Sequence, residues 1–354
     1  MKSDGRTDMS SREKCVDING VSLYNDDVLN LYDYWIAPSL IVSDGGYGVS
    51  GFRGDACYPS ELQQWYRPHV KAWSKKAKPG TTLWFWNTEA GWASVHALLD
   101  NSGWDYVCCN IWNKGIQHIA GNCNLPKLKH FPIVTELCVQ YVKRPEFEAD
   151  GKRLTLKEWL RLEWERTGLP LSVTNEVCGV ANAATRKYFT KCHLWYAPPS
   201  EHFEKLVSYA NRKGQPEGKP YFSIDGKVPM SRSEYASLFH RFEGKYGITN
   251  VWDEPPLHNG ERIRLSGSQK YAHLNQKPLK LMKMIIEVSS NPGDLIWEPF
   301  GGLCSAGLAA SFTDRRAVCA EIDEDIFKIA VERIRSRSND LFAALSEEKY
   351  AVVR

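Results

Sequence analysis

Residues Asn291–Asp323 read NPGDLIWEPFGGLCSAGLAASFTDRRAVCAEID, and the fold is decided here. Leu295, Ile296 and Trp297 form a short apolar run after a Pro-Gly-Asp turn, which suits a buried strand. Glu298-Pro-Phe-Gly-Gly and an Ala-rich run follow, the pattern of a tight loop that opens a helix. Ala317–Ala320 is a second apolar run, and it ends at Glu321-Ile-Asp323. Strand, glycine loop, helix, strand and terminal acid form the layout of a nucleotide-type site. The glycines admit close backbone approach, and the acid takes two ribose hydroxyls. The loop is not GxGxxG, and the chain has no Gly-Lys-Ser/Thr phosphate loop. A ligand with a ribose and no phosphates is therefore expected, of which S-adenosylmethionine is the common one. An ordinary strand–helix–strand unit without a ligand is the alternative.

Working outward, 354 residues hold one large domain with an insert, or two domains. An apolar fraction of 43% with 25% charged residues reads as soluble and globular. The net charge of +3 confines any nucleic-acid surface to a local patch. Ten cysteines with no CxxC pair favour reduced thiols in a cytoplasm over a disulfide framework, and no metal site is expected. The sequence has no long apolar run and no signal-peptide pattern, so no membrane association is expected.

Residues 1–14 are polar and expected to fray. Val21–Tyr24 and Ser39–Val42 read as strands, the second ending at Ser43-Asp-Gly-Gly-Tyr-Gly48. Pro59–Lys78 has helical spacing, Thr81–Trp86 is a strong strand, and Gly91–Leu99 is helical. Tyr106–Trp112 and Val134–Val142 are further strands. This alternation implies a parallel sheet. Residues 146–270 are more polar, with little strand signal. Within them Leu171–Phe189 reads helix, Gly179 turn, helix, which is either a helix-turn-helix or a plain helical hairpin. On the first reading Asn182, Thr185 and Arg186 reach base edges, and Lys187 and Lys191 meet phosphates. Leu279–Val288 is an amphipathic helix whose N-terminus, set by Pro278, is expected to offer N–H groups and the Lys277 charge to a carboxylate. Ile326–Ile334 closes the fold, and residues 341–354 form a charged tail.

If the Ser39 and Leu295 strands are neighbours, their loops meet at one sheet edge. One loop then holds a sulfonium cofactor, and the other presents Asp44, the Gly45 and Gly46 carbonyls and Tyr47. This suits methyl transfer to an exocyclic amino group. Asp44 and the Gly45 carbonyl accept its two N–H bonds, which frees the lone pair for in-line attack. Tyr47 is expected to stack on an extruded base.

These residues resemble the beta-class DNA amino-methyltransferases over roughly Val21–Arg144 and His273–Ile334. The family's Asp/Ser-Pro-Pro-Tyr is Asp44-Gly-Gly-Tyr47 here, and its Asp-Pro-Phe-x-Gly-Ser-Gly loop is Glu298–Cys304. Its Gln-Lys-Pro element is Gln276-Lys277-Pro278. The resemblance implies an α/β, Rossmann-like, circularly permuted methyltransferase fold with a mainly helical target-recognition insert. Residues 15–145 are then the catalytic half, 146–270 the target-recognition region and 271–340 the cofactor half. It implies cofactor contacts at Asp27, Asp44, Gln276, Lys277, Pro278, Glu298, Pro299, Phe300, Gly301, Gly302, Ser305 and Glu321, and support behind the catalytic loop from Trp112, Lys114 and Glu136. Three departures stand out: Gly-Gly for Pro-Pro, Cys304 for a glycine and Glu298 for Asp.

The acid at position 44 looks like adenine N6 methylation of a short duplex DNA target, whereas Ser there looks like cytosine N4, and Ser43 is adjacent. The implied protein is the modification half of a restriction system, with a possible partner endonuclease, as a monomer or homodimer. A DNA-binding relative with weak catalysis, and an RNA or protein-amide methyltransferase, are the alternatives.

Overall fold

The seven runs expected to be strands, with two short strands that were not expected, assemble into a nine-stranded sheet in a computed structural model of the chain. The structure describes residues 15–49, 54–119, 127–216, 218–257, 261–264, 271–272 and 275–336. The expected frayed N-terminus, the tail and part of the His273–Pro278 element lie outside them. In chain order the first elements are β1 (Cys15–Ile18), β2 (Val21–Tyr24), β3 (Leu40–Ser43), α1 (Leu62–Lys76), β4 (Thr82–Asn87), α2 (Glu89–Asn101), β5 (Trp104–Asn113) and β6 (Thr135–Lys143). There follow β7 (Glu146–Ala149), β8 (Lys152–Thr155), α3 (Leu156–Arg166), α4 (Val173–Cys178), α5 (Ser200–Lys213) and α6 (Arg232–Ala236). The last are β9 (Val251–Asp253), α7 (Leu279–Ser289), β10 (Leu295–Glu298), α8 (Ser305–Phe312), β11 (Arg316–Ala320) and α9 (Glu324–Arg335).

The chain divides into two units, residues 1–143 with 241–354, and residues 144–240. The helical insert is therefore shorter than the expected 146–270. Residues beyond His240 return to the first unit, where β9 pairs in parallel with β5.

In the first unit the strand order is β1-β2-β11-β10-β3-β4-β6-β5-β9. Strands β2, β11, β10, β3 and β4 are mutually parallel. Strand β6 runs antiparallel to both β4 and β5, which departs from the all-parallel expectation. A parallel crossover needs a long connection, usually a helix. Between β5 and β6 the described residues form only a short turn at Ile116–His118. Strands β3 and β4 are buried along their whole lengths. Leu40, Val42, Trp84 and Trp86 pack with α7 and α8, while Ile41, Leu83 and Phe85 pack with α1 and α2. Full coverage on both faces explains why these strands read as continuous apolar runs.

Strand β10 continues through α8 to β11 on one side, and β3 continues through α1 to β4 on the other. The order thus reverses between β10 and β3, and open α/β sheets bind ligands beyond the carboxyl ends of strands at such a switch. Ile296 lies beside Leu40 and Trp297 beside Ile41, so Glu298 and Asp44 emerge at the same edge.

The second unit has its own core. Phe147 stacks on Trp159 at 4.2 Å and Phe203 on Tyr235 at 3.8 Å. A β7–β8 hairpin and helices α3–α6 surround it. Gly179 caps α4 in the left-handed region, as the turn reading required. The expected second helix is only a five-residue π turn, Ala184–Tyr188. Tyr188 and Phe189 are drawn into the core, where Phe189 stacks on Trp164 at 5.1 Å. Burial of these rings ends the helix too early for a groove-reading rod.

Candidate functional site

Beyond the carboxyl ends of β2, β11, β10 and β3 lies a cavity of about 600 Å³. Its lining includes Asp26, Asp27, Asp44, Gly45, Tyr47, Asp55, Gln276, Lys277, Glu298–Leu303, Ser305, Glu321 and Asp323. The two loops expected to meet do meet. Helix α1 adds a wall of Gln64, Trp65, Pro68 and His69, with the Trp65 ring 5.2 Å from Phe300. The sequence reading missed this wall, because amphipathic spacing marks these residues as core without showing which turn of the helix a cavity borders.

The catalytic-loop candidate is held by a buried charge network. Lys277 is 2% exposed, and its Nζ lies 2.6 Å from Asp44 Oδ1 and 3.0 Å from Glu136. Lys114 lies 2.8 Å from the other Glu136 oxygen. The Tyr47 hydroxyl donates to Asp44 at 2.8 Å and to Glu136 at 2.5 Å. Burial alone would raise the Glu136 carboxyl, but Lys277 and Lys114 beside it bring it down to about 2. Burial likewise opposes the Lys277 charge, yet Asp44 and Glu136 hold its pKa above the usual lysine value. Lys277 thus holds the catalytic loop instead of standing free for a ligand carboxylate. Glu136 and Lys114, expected only as support, complete the network.

The backbone of this loop is also specified. Asn87 Nδ2 donates to the Gly46 carbonyl at 2.9 Å, and the Tyr66 hydroxyl does so at 3.2 Å. Among the described residues no hydrogen bond reaches the Gly45 carbonyl, so it is the one available to a ligand. A Cβ on Gly45 would stand 2.5 Å from the Phe300 ring, and one on Gly46 would stand 2.5 Å from Asp55 Oδ1. Gly45 is therefore closely confined by the Phe300 ring and the Tyr66 hydroxyl, and a side chain at Gly46 would displace the Asp55 carboxylate. Ser43 is fully buried in β3 and does not line the cavity, whereas Asp44 does.

Several expected ligand contacts are engaged within the protein. Both Glu298 oxygens accept N–H groups at the start of α8, from Ala306 at 2.9 Å and Gly307 at 2.7 Å. Cys319 Sγ also lies 3.5 Å from this carboxylate. Burial pushes Glu298 up to about 7 despite those amides. Cys304 adopts φ +56°, the left-handed conformation that a glycine takes without strain. Gln276 ties down residues 261–263, accepting from Ile263 N at 3.1 Å and donating to Glu261 O at 2.9 Å. The α7 N-terminus, expected to meet a ligand, accommodates the Glu261 carboxylate, which accepts from Leu279 N at 2.7 Å. Pro278 does not line the cavity. Ser305 Oγ receives Arg333 at 2.9 Å.

At the other end, Glu321 accepts N–H groups from Gly302 at 2.7 Å and Asp323 at 2.8 Å. Burial pushes it up to about 7. Asp27 caps the turn at Val28–Asn30 by accepting from Leu29 N at 2.9 Å. Both acids face the cavity and retain lone pairs for ribose hydroxyls or an adenine amine.

Among the described residues seven acidic side chains line the cavity, of which burial pushes Glu298 and Glu321 up to about 7 and Asp55 to about 6, and the one lining lysine is already paired with Asp44. Such a site suits a cationic ligand with hydroxyls and repels a polyphosphate. Aromatic rings, hydroxyl-binding acids and a negative field fit S-adenosylmethionine.

In the second unit Asn182, Arg186, Lys187 and Lys191 are exposed beside Tyr196. Thr185 is not free to read a base: its amide bonds Asn175 at 3.1 Å and its hydroxyl donates to Leu171 O at 3.1 Å.

A family model described as DNA methylase matches residues 39–332. A DNA adenine methyltransferase, YhdJ of Escherichia coli, is 34% identical over 105 residues, which cover 30% of this chain and 32% of that protein. The type II methyltransferase M.EcaI of Enterobacter cloacae is 27% identical over 175 residues, or 48% of this chain and 34% of that one. The chain thus spans about a quarter to a third of the length of the curated relatives it matches. The crystal structure of an M1.HpyAVI–SAM complex aligns at a TM-score of 0.48 and 14% identity, covering 89% of this chain and 98% of that one.

Proposed function

Since the chain belongs to the DNA methylase family, we propose that it transfers a methyl group from S-adenosylmethionine to adenine N6 at a short specific sequence in duplex DNA. The observation that carries adenine over cytosine is the placement of Asp44 and Ser43. The acid opens into the cavity, and the serine is sealed within β3.

Glu321 and Asp27 hold the ribose and adenine end, and Phe300 with Trp65 flanks the rings. When bound, the cofactor supplies an electron-poor methyl group on a sulfonium. The protein's own part is to position an amine and free its lone pair. Asp44 accepts one N–H and the Gly45 carbonyl accepts the other, drawing the nitrogen towards tetrahedral geometry. Lys277 and Tyr47 keep the Asp44 carboxylate in one orientation. Because the Tyr47 hydroxyl is held by two acids, its ring is a fixed wall for a base and not a mobile clamp. The base must leave the duplex, at a cost of about a few kcal/mol. Asn182, Arg186, Lys187 and Lys191 supply contacts from the second unit, chiefly to phosphates. We further propose a role as the modification half of a restriction system, a reading supported by the type II methyltransferases among its relatives.

Tritiated cofactor with plasmid DNA tests this, followed by nuclease digestion and mass spectrometry of the nucleosides. Label in N6-methyladenine is expected, and Asp44→Ala should lower transfer about 10²- to 10⁴-fold while cofactor binding persists. Label in N4-methylcytosine would overturn the base assignment, and wild-type rates in Asp44→Ala would overturn the mechanism.

A further inference from the structure

The catalytic-loop candidate contains two consecutive glycines, and each adds an ordering cost of roughly 0.5–1 kcal/mol. A loop that must hold a nucleophile within a fraction of an ångström of its line of attack needs a substitute for that missing stiffness. Asn87 and Tyr66 restrain one carbonyl. The opposite side of Gly46 is occupied by Asp55, a carboxylate that lines the same cavity as Asp44.

We infer that Asp55 is a positioning residue for methyl transfer: its carboxylate fills the space a side chain at residue 46 would take and pins the Gly-Gly loop. The inference rests on the methyltransferase reading above. A Cβ at residue 46 would stand 2.5 Å from Asp55 Oδ1, 3.3 Å from its Cγ and 3.4 Å from Leu62 Cδ2. A side chain at residue 46 would require the carboxylate to move from this position. Burial pushes Asp55 up to about 6, and a hydrogen bond from the Tyr47 backbone amide works against that rise, tying the carboxylate to the next residue of the loop. Among the described residues Asp55 has no cationic partner, unlike Asp44 with its Lys277. An acid kept half-buried without a countercharge is costly. Bracing the loop gives it a role that a surface acid lacks. In the related signature, prolines at the same two positions supply rigidity covalently. Here a carboxylate nine residues after Gly46 supplies it through space.

This makes position 46 and position 55 interchangeable devices, and a double-mutant cycle reads that directly. Asp55→Ala alone should lower single-turnover methyl transfer to plasmid DNA about 10- to 100-fold at saturating cofactor. Gly46→Pro alone should do the same by displacing the carboxylate. The Asp55→Ala/Gly46→Pro protein should regain most of the rate. Gly46→Ala, alone and with Asp55→Ala, keeps the cycle readable if proline is not tolerated: alanine should be harmful alone and neutral once Asp55 is gone. Thermal midpoints of the same proteins give a second cycle that needs no turnover. Asp55→Ala at the wild-type rate, or strictly additive effects in both cycles, overturns the pin. Coupled midpoints in a wild-type protein that methylates no DNA would instead overturn the functional reading and leave the pin standing.

Discussion

Replacing Lys277 by methionine removes one of two cations from a cluster that now balances two carboxylates, Asp44 and Glu136, against Lys277 and Lys114. Methionine keeps the length and apolar stem, so the change isolates the charge. The side chains of Lys277, Asp44 and Glu136 are 2%, 16% and 10% exposed, so water cannot replace the lost partner fully. Breaking such a pair costs about 3–5 kcal/mol, and the partly wetted Asp44 places the cost near the lower end. For a chain of 354 residues that is a fall of roughly 4–7 °C in the thermal midpoint. The sign of the pH dependence follows from Glu136. Its folded pKa, about 2, lies below the ordinary carboxylate value of 4.5, so its contribution is present above pH 4.5 and lost as pH falls through about 2. Without Lys277 the folded value rises, and the acid-side loss moves to higher pH. Adding Glu136→Gln restores charge parity and should recover part of the midpoint. Circular dichroism melts of the two single variants and the double variant between pH 3 and pH 8 measure all of this. A midpoint within about 2 °C of wild type for Lys277→Met, or a double variant less stable than that single, would refute the idea that charge balance holds the loop.

Three further outcomes are expected. Glu321→Ala should weaken S-adenosylmethionine binding by about 1–3 kcal/mol through lost hydroxyl contacts, measured by calorimetry, and unchanged affinity would move the ribose elsewhere. Arg186→Ala, Lys187→Ala and Lys191→Ala should each lower the slope of log K against log salt for DNA binding by about 1, and three unchanged slopes would remove this patch from the interface. Burial depresses His69 to about 4 from its ordinary 6.5, so its contribution is complete above pH 6.5 and is lost as pH falls through about 4. That amounts to about 3 kcal/mol. His69→Leu should flatten this part of a denaturation-versus-pH curve, and an unaltered slope would assign the loss to other groups.

The elements that could be read in one dimension were those whose signal is local. Val21–Tyr24, Leu40–Ser43, Leu295–Glu298 and Arg316–Ala320 are strands because short apolar runs bounded by turn residues have few other ways to bury themselves. The glycine loop after Glu298 and the acid at Glu321 follow from the same grammar, and so does the meeting of the Asp44 and Phe300 loops once β3 and β10 pair. Partner choice is not local. Nothing in the spacing of Gln276-Lys277-Pro278 shows that Lys277 turns to Asp44 and Glu136, or that Glu261 reaches the start of α7 before any ligand can. The reversed strand β6, the π turn that replaces a recognition helix, and the Asp55 carboxylate against Gly46 are decided by what lies beside them in space. Sequence alone determined the central strands and which of their loops face one another, because backbone propensity and hydrophobic period act over a few residues; the short strands Cys15–Ile18, Glu146–Ala149, Lys152–Thr155 and Val251–Asp253 carried too little local signal. Tertiary structure decided which charge neutralises which, because electrostatic pairing and steric exclusion act between residues tens to hundreds of positions apart.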